Sequence, residues 1–235
     1  MSRRTHTMVG WGSVLIFTFV IALFLDQFYY RLLHHPAMAG EDWVQLLRQL
    51  GYLPTWIGVA VLFCLLDARR GSIGRRTADG LAAGAVSVPR APYPWHHRGG
   101  LVLLSVLLGG LAANVLKPLI GRLRPDPMDT GRALMADRPW VLWADGGDLG
   151  LGLPSGHTTV AFAGCGMLAL LVPAWRRPMM LLAAGCALTR LFAGAHTLSD
   201  TVAGAWVGLA VAAWLWAWGE GPRRGPANGL LPHEA

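Results

Sequence analysis

Charge is scarce in this sequence. Only 14% of its 235 residues are Asp, Glu, Lys or Arg, and 54% are hydrophobic, whereas a soluble domain carries about 25% charged residues. The shortage extends over the whole chain, which argues against a soluble module and for one integral membrane domain over residues 1–235. Lysine is nearly missing: Lys117 stands alone against 19 arginines. Cysteine is limited to Cys64, Cys165 and Cys186. Each sits in an apolar run and none has a CxxC partner, which argues against a disulfide framework or a zinc site and leaves buried packing. Basic runs interleaved with aromatics are also lacking. The net charge of +7 therefore does not point to nucleic acid; it fits basic loops held on the cytoplasmic side of a membrane. No internal repeat is present.

Six apolar segments approach the roughly 17–25 residues that a helix needs to cross a bilayer: 9–28, 53–66, 101–116, 158–172, 179–192 and 201–218. They predict an all-α fold, a six-helix transmembrane bundle. Arg3 and Arg4 before the first segment resemble a signal peptide, but no small-x-small cleavage site follows, and Phe28, Tyr29 and Tyr30 read as an interfacial belt. The expectation is an uncleaved first span, with Asp26 reaching the interface near its end. With six spans and a cytoplasmic N-terminus, 12 of the 20 basic residues fall inside, which favours both termini in the cytoplasm. The internal turn from Arg176 to Pro178 is basic, as an inside loop should be.

The connections differ in character. Residues 67–100 are rich in Gly, Arg and Pro and read as a cytoplasmic linker; the His96–His97 pair within them has no nearby Cys, Asp or Glu to complete a metal site. Residues 219–235 read as a cytoplasmic tail. Between the first two spans, Trp43, Leu46, Leu47 and Leu50 recur at helical spacing within 41–50, predicting a short amphipathic helix on the outer interface. The loop 118–153 is external under this topology and contains Asp126, Asp129, Asp137, Asp145 and Asp148, whose irregular spacing suits a solvated loop better than a metal site.

Three groups of polar residues interrupt the apolar pattern. Lys117 precedes Arg124-Pro125 at the external end of the third span; alone, Lys117 would read as a snorkelling anchor. Pro154-Ser155-Gly156-His157 opens the fourth span. Pro then Ser before an apolar run is a helix N-cap pattern with Ser155 as cap, and a helix N-terminus offers N–H groups and partial positive charge to phosphate. Gly156 lets a ligand approach the backbone, and the cap does not account for His157. Finally, Thr189-Arg190 is followed by His196 and Asp200. Four residues apart, His196 and Asp200 would share a helix face, and the carboxylate can take one imidazole proton and leave the other nitrogen as nucleophile. Alone, the pair would equally suit a structural role.

All three groups fall at external span ends, the motif core 117–200. Together they compose a phosphoryl-transfer site. Lys117, Arg124 and Arg190 would hold phosphoryl oxygens, with backbone donors from Ser155 and Gly156. His196 would attack phosphorus, Asp200 would hold His196, and His157 would protonate the leaving oxygen and then activate water. No cofactor and no metal is called for.

This pattern resembles the type 2 phosphatidic acid phosphatase superfamily of lipid phosphatases, whose motifs are Lys-x6-Arg-Pro, Pro-Ser-Gly-His and Ser-Arg-x5-His-x3-Asp. Here they correspond to Lys117 through Arg124-Pro125, to Pro154 through His157, and to Arg190, His196 and Asp200. Thr189 stands where the family commonly has Ser and keeps the hydroxyl. The resemblance implies a six-helix bundle, metal-independent hydrolysis and a phosphohistidine at His196. The six apolar segments set the chain apart from the soluble acid phosphatases and vanadate haloperoxidases with similar sites. The expected function is dephosphorylation of a membrane lipid phosphate or pyrophosphate at the outer face of a bacterial inner membrane. Undecaprenyl pyrophosphate, phosphatidylglycerol phosphate, phosphatidic acid and lipid A are candidate substrates. A lipid phosphotransferase using the same intermediate is the alternative. A transporter is the remote one, since transporters carry polar groups inside their spans.

Overall fold

A computed structural model of the chain describes residues 3–80, 95–125, 143 and 150–220. Among the described residues the architecture is helical, and β pairing is limited to one antiparallel bridge, Leu123 to Leu151. The helices are α1 (Arg3–Leu33), α2 (Asp42–Arg48), α3 (Leu53–Gly80), α4 (Trp95–Ile120), α5 (Gly156–Leu171), α6 (Arg176–Phe192) and α7 (Leu198–Glu220). Short 3-10 turns precede and follow α2, at Pro36–Gly40 and Gln49–Gly51.

A helix stands at each of the six apolar segments. Length and apolarity qualify three as spans on their own: Gly12–Leu33, Arg98–Ile120 and Leu198–Trp218. Asp42–Gly51 and Leu53–Arg69 qualify together as a pair broken by a 72° bend. The 16 residues of α5 rise only about 24 Å, short of the ~30 Å hydrocarbon core. Helix length therefore supports three crossings, or four with the bent pair, rather than the full six.

The 67–100 segment is more regular than a linker. α3 continues to Gly80, and α4 begins at Trp95. Gly71 and Gly74 are flanked by Ala68, Arg69, Arg70, Arg75 and Arg76, which are good helix formers, and single glycines cost a helix only ~1 kcal/mol each. Residues 81–94, the external-loop aspartates and the tail beyond Glu220 lie outside the described residues.

The surface is inverted relative to a soluble protein. Ile16, Phe17, Phe24 and Phe28 of α1 and Leu181 of α6 are exposed, while Asp26, Arg122, Arg190, His196 and Asp200 are buried. Apolar side chains outside and polar ones within suit lipid as the surrounding solvent. α5 is the central element, packed on α4, α6 and α7. Its Ala161, Ala163, Gly164 and Gly166 are fully buried, and such small residues let helix backbones approach closely. Ser105 of α4 donates to the Ala163 carbonyl at 3.0 Å. Trp56, Val102, Val106, Met167 and Leu215 fill the core.

Candidate active site

The motif residues are carried by four helix ends and the turns beside them. Lys117 lies in the last turn of α4. After α4 the chain becomes extended, and Arg124 N–H donates to Gly150 O at 3.1 Å while Gly152 N–H donates to Arg122 O at 2.7 Å. This ladder fixes Arg124 beside the entry to α5, where its Nε also donates to Leu151 O at 3.3 Å.

Ser155 occupies the N-cap of α5, as its place in the sequence predicts, with extended backbone (φ −68°, ψ 113°). Its side chain makes no capping bond; the hydroxyl instead accepts from Thr158 Oγ1 at 3.1 Å. The first-turn N–H groups of α5 are thus uncapped, the arrangement that binds anions. Lys117 Nζ lies 3.5 Å from where a Cβ on Gly156 would stand, so the lone lysine sits over this helix start. His157 follows; its ring packs edge-on against Tyr52, centroids 4.6 Å apart, and its buried Nε2 has no hydrogen-bond partner among the described residues.

At the other end of the chain's polar sequence, α6 terminates in a Schellman motif. Gly194 adopts φ 63°, its N–H donates to Leu191 O at 2.9 Å, and the Ala195 N–H donates to Arg190 O at 3.1 Å. Only glycine takes this left-handed position readily, and the turn delivers His196 to the start of α7. Arg190 is buried, its Nε without a hydrogen-bond partner among the described residues. His196 is buried too, its Nδ1 3.3 Å from Asp200 Oδ2. The same oxygen accepts the Thr197 N–H at 3.1 Å. The Ser155 N–H donates to Asp200 O at 2.9 Å, which locks the start of α5 onto the start of α7.

The eight residues singled out by the sequence therefore converge at one end of the bundle: Lys117, Arg124, Ser155, Gly156, His157, Arg190, His196 and Asp200. Arg124 and Arg190 are near enough to act electrostatically on both His157 and His196. Burial lowers the pKa of His196 below the ordinary imidazole value; the hydrogen bond to Asp200 and that carboxylate's charge oppose this, and Arg190 and Arg124 reinforce it. A neutral imidazole with Nδ1 committed to a carboxylate keeps Nε2 as its nucleophilic atom. Among the described residues no group of three or more His, Cys, Asp or Glu is arranged to hold a metal.

Some residues at the site escaped the sequence reading. Thr189 does keep its hydroxyl, but spends it within α6, donating to Cys186 O at 2.7 Å. Asp26, expected at the interface, is instead wholly buried and bonded to Arg122 and Ser199. Arg122, which belongs to none of the three motifs' named positions, reaches Asp200 Oδ1 at 3.1 Å. Arg48 and Tyr52, flanking the turn after α2, stand beside His157, with the guanidinium 5.6 Å from the Tyr52 ring centroid.

The PAP2 superfamily model matches residues 98–224, more than half of the chain and all eight of the motif residues. The chain belongs to the PAP2 superfamily. Two relatives within reach of this PAP2 chain are lipid A 1-phosphatases. That of Rhizobium johnstonii is 38% identical over 117 residues, 49% of this chain and 44% of the relative, and that of Rhizobium etli is 36% identical over 107 residues, 45% and 44%. The PAP2 chain thus spans less than half the length of these curated relatives. In fold it is similar to a transmembrane PAP2-type phosphatidylglycerolphosphate phosphatase from Bacillus subtilis, with a TM-score of 0.58 at 18% identity, covering 90% of this chain and 97% of that one.

Proposed function

We propose that the protein is a membrane enzyme that hydrolyses a lipid phosphate without a metal, through a phosphohistidine at His196. The observation that carries this reading is the buried His196–Asp200 pair, facing a helix start and three cations. The Nε2–P bond forms as the P–O bond to the lipid breaks, and the leaving oxygen takes a proton from His157. The charge of the bound phosphate is what lets His157 carry that proton among so many cations. His157 then accepts a proton from water, which attacks phosphorus, and the N–P electron pair returns to His196. Lys117, Arg124, Arg190 and the α5 N–H groups neutralise charge on the transferring oxygens.

The kinship with lipid A 1-phosphatases puts a lipid A phosphate first among the candidate substrates. Phosphatidylglycerol phosphate, phosphatidic acid and undecaprenyl pyrophosphate complete the panel. We take the site to face the exterior of a six-span protein whose termini are cytoplasmic.

The test is phosphate release by the full chain in detergent, with EDTA present, over that panel. Release from one lipid, abolished by His196→Ala in protein that still elutes as a folded species, is the expected result. Phosphate that leaves the donor lipid but appears on an added lipid acceptor would make the protein a transferase. Turnover by the His196→Ala variant would falsify the mechanism.

A further inference from the structure

Asp26 sits in the apolar stretch of α1 and is fully buried. A carboxylate there costs several kcal/mol unless it is compensated. Its compensation comes from far along the chain. Oδ1 accepts the Ser199 N–H at 2.7 Å, and Oδ2 accepts Arg122 Nη2 at 2.9 Å and Ser199 Oγ at 2.5 Å. Arg122 is buried as well, and its Nη1 donates to Asp200 Oδ1 at 3.1 Å and to Ser199 Oγ at 2.5 Å. Asp200 thus has its two oxygens assigned to different tasks. Oδ1 is held by Arg122, and Oδ2 meets Thr197 N–H and His196 Nδ1.

We propose that Arg122, fixed in turn by Asp26 of α1, is a positioning residue for the His196–Asp200 pair. The proposal rests on the reading of His196 as the nucleophile. Arg122 acts on Asp200 and needs no contact with the phosphate, in contrast to Arg124 two residues on. Bridging two carboxylates with one Nη on each, its planar fork holds the orientation of Asp200 and hence the direction of His196 Nε2. Without it, two carboxylates would surround Ser199 with no cation between them. A scaffold alone gives little reason for such a cluster, because well-packed apolar residues usually stabilise a protein as well as a buried ion network or better. By this arrangement α1, which contributes none of the three motifs, becomes part of the catalytic machinery.

The test uses purified full-length Arg122→Gln, Arg122→Lys and Asp26→Asn variants beside His196→Ala. It measures kcat and KM on the lipid that the panel selects, and inhibition by orthovanadate and by inorganic phosphate. Orthovanadate imitates the transition state and depends on a correctly aimed nucleophile; phosphate imitates ground-state binding. Misdirecting the nucleophile predicts a kcat about a hundredfold lower for Arg122→Gln, with KM and phosphate inhibition within about threefold and vanadate inhibition weakened at least tenfold. Arg122→Lys should recover part of the loss. Asp26→Asn should fall between it and wild type, and adding Asp26→Asn to Arg122→Gln should cost nothing further, since both act through Asp200.

A raised KM with weakened phosphate inhibition and intact kcat would make Arg122 a phosphate ligand and overturn the proposal. So would unchanged kcat and vanadate inhibition in a variant whose melting temperature alone has fallen. If Arg122→Gln does not fold, Asp26→Asn carries the same readouts. Should His196→Ala be inert while the Arg122 and Asp26 variants behave as wild type, only this inference fails. Should His196→Ala turn over, the proposed function fails with it.

Discussion

At the scale of single residues, Thr189 and His196 make a sharp contrast. Both are buried and both belong to one motif, yet the Thr189 hydroxyl is spent on the α6 backbone. Thr189→Ala should therefore leave kcat/KM within about threefold, with a stability loss of about 0.5–1.5 kcal/mol from the missing hydrogen bond. Parallel kinetics and thermal melts check this, and a collapse of kcat at unchanged melting temperature would assign the hydroxyl to the reaction. His196 also sets a pH dependence. Its folded pKa lies below the ordinary imidazole value, and in the proposed mechanism the neutral form attacks, so activity should be lost as pH falls through that lowered value, with the acid limb of kcat/KM below about pH 6.5. Asp200 opposes the lowering, so Asp200→Asn should move the limb further down while reducing kcat about a thousandfold. Because the substrate's own ionisation is common to both enzymes, the difference between the two profiles isolates His196, and a shift to higher pH would contradict the assignment. The motif residues were legible in the sequence because their chemistry is local: His196 and Asp200 are four apart and Ser155 adjoins His157. Arg122 and Asp26 were not, because their partners lie 78 and 173 positions away, and nothing in a one-dimensional pattern couples a mid-helix aspartate to a loop arginine.

At the scale of elements, the short segment between α1 and α3 does more than lie on the interface. The sequence placed an amphipathic helix there, and α2 answers to it in part: Trp43 and Leu46 are exposed and the buried residue is Val44. What the apolar spacing could not reveal is that the following turn abuts the His157 side chain. A Cβ on Gly51 would come 2.5, 2.7 and 2.8 Å from His157 Cδ2, Cβ and Cγ, so any side chain there must displace the imidazole or the turn. Gly51→Ala should reduce kcat on the lipid substrate about ten- to hundredfold. p-Nitrophenyl phosphate, whose leaving group needs no proton, should be largely spared if His157 is the acid. The ratio of the two rates is the measurement. An equal fall on both substrates would show that the turn supports the whole pocket rather than His157. Helix extents were less legible than helix positions, as α3 demonstrates: its last turns lack an apolar period, and Ala and Arg propensity sustain them to Gly80.

At the scale of the whole molecule, the charges separate along the bundle. α6 begins at Arg176 and ends near Arg190 beside the site, so the exposed pair Arg176 and Arg177 lies at the far end. Arg98 pairs with Asp67 at 3.7 Å where α3 and α4 meet, at the opposite end of α4 from Lys117. These three arginines lie away from the site, as the positive-inside rule would have it if the site faces outward, as proposed. Two engineered cysteines test the orientation. Ala37 is exposed in the turn whose neighbour His35 donates its N–H to Phe192 O at 3.1 Å, at the site end; Arg177 is exposed at the other. Of the native cysteines, Cys165 and Cys186 are buried and Cys64 is partly accessible, so Cys64→Ser gives a quiet background. In intact spheroplasts an impermeant maleimide should label Ala37→Cys at once, and Arg177→Cys only after permeabilisation. The reverse pattern would turn the site to the cytoplasm and restrict its substrates to lipids of the inner leaflet, although the chemistry at His196 would be unchanged.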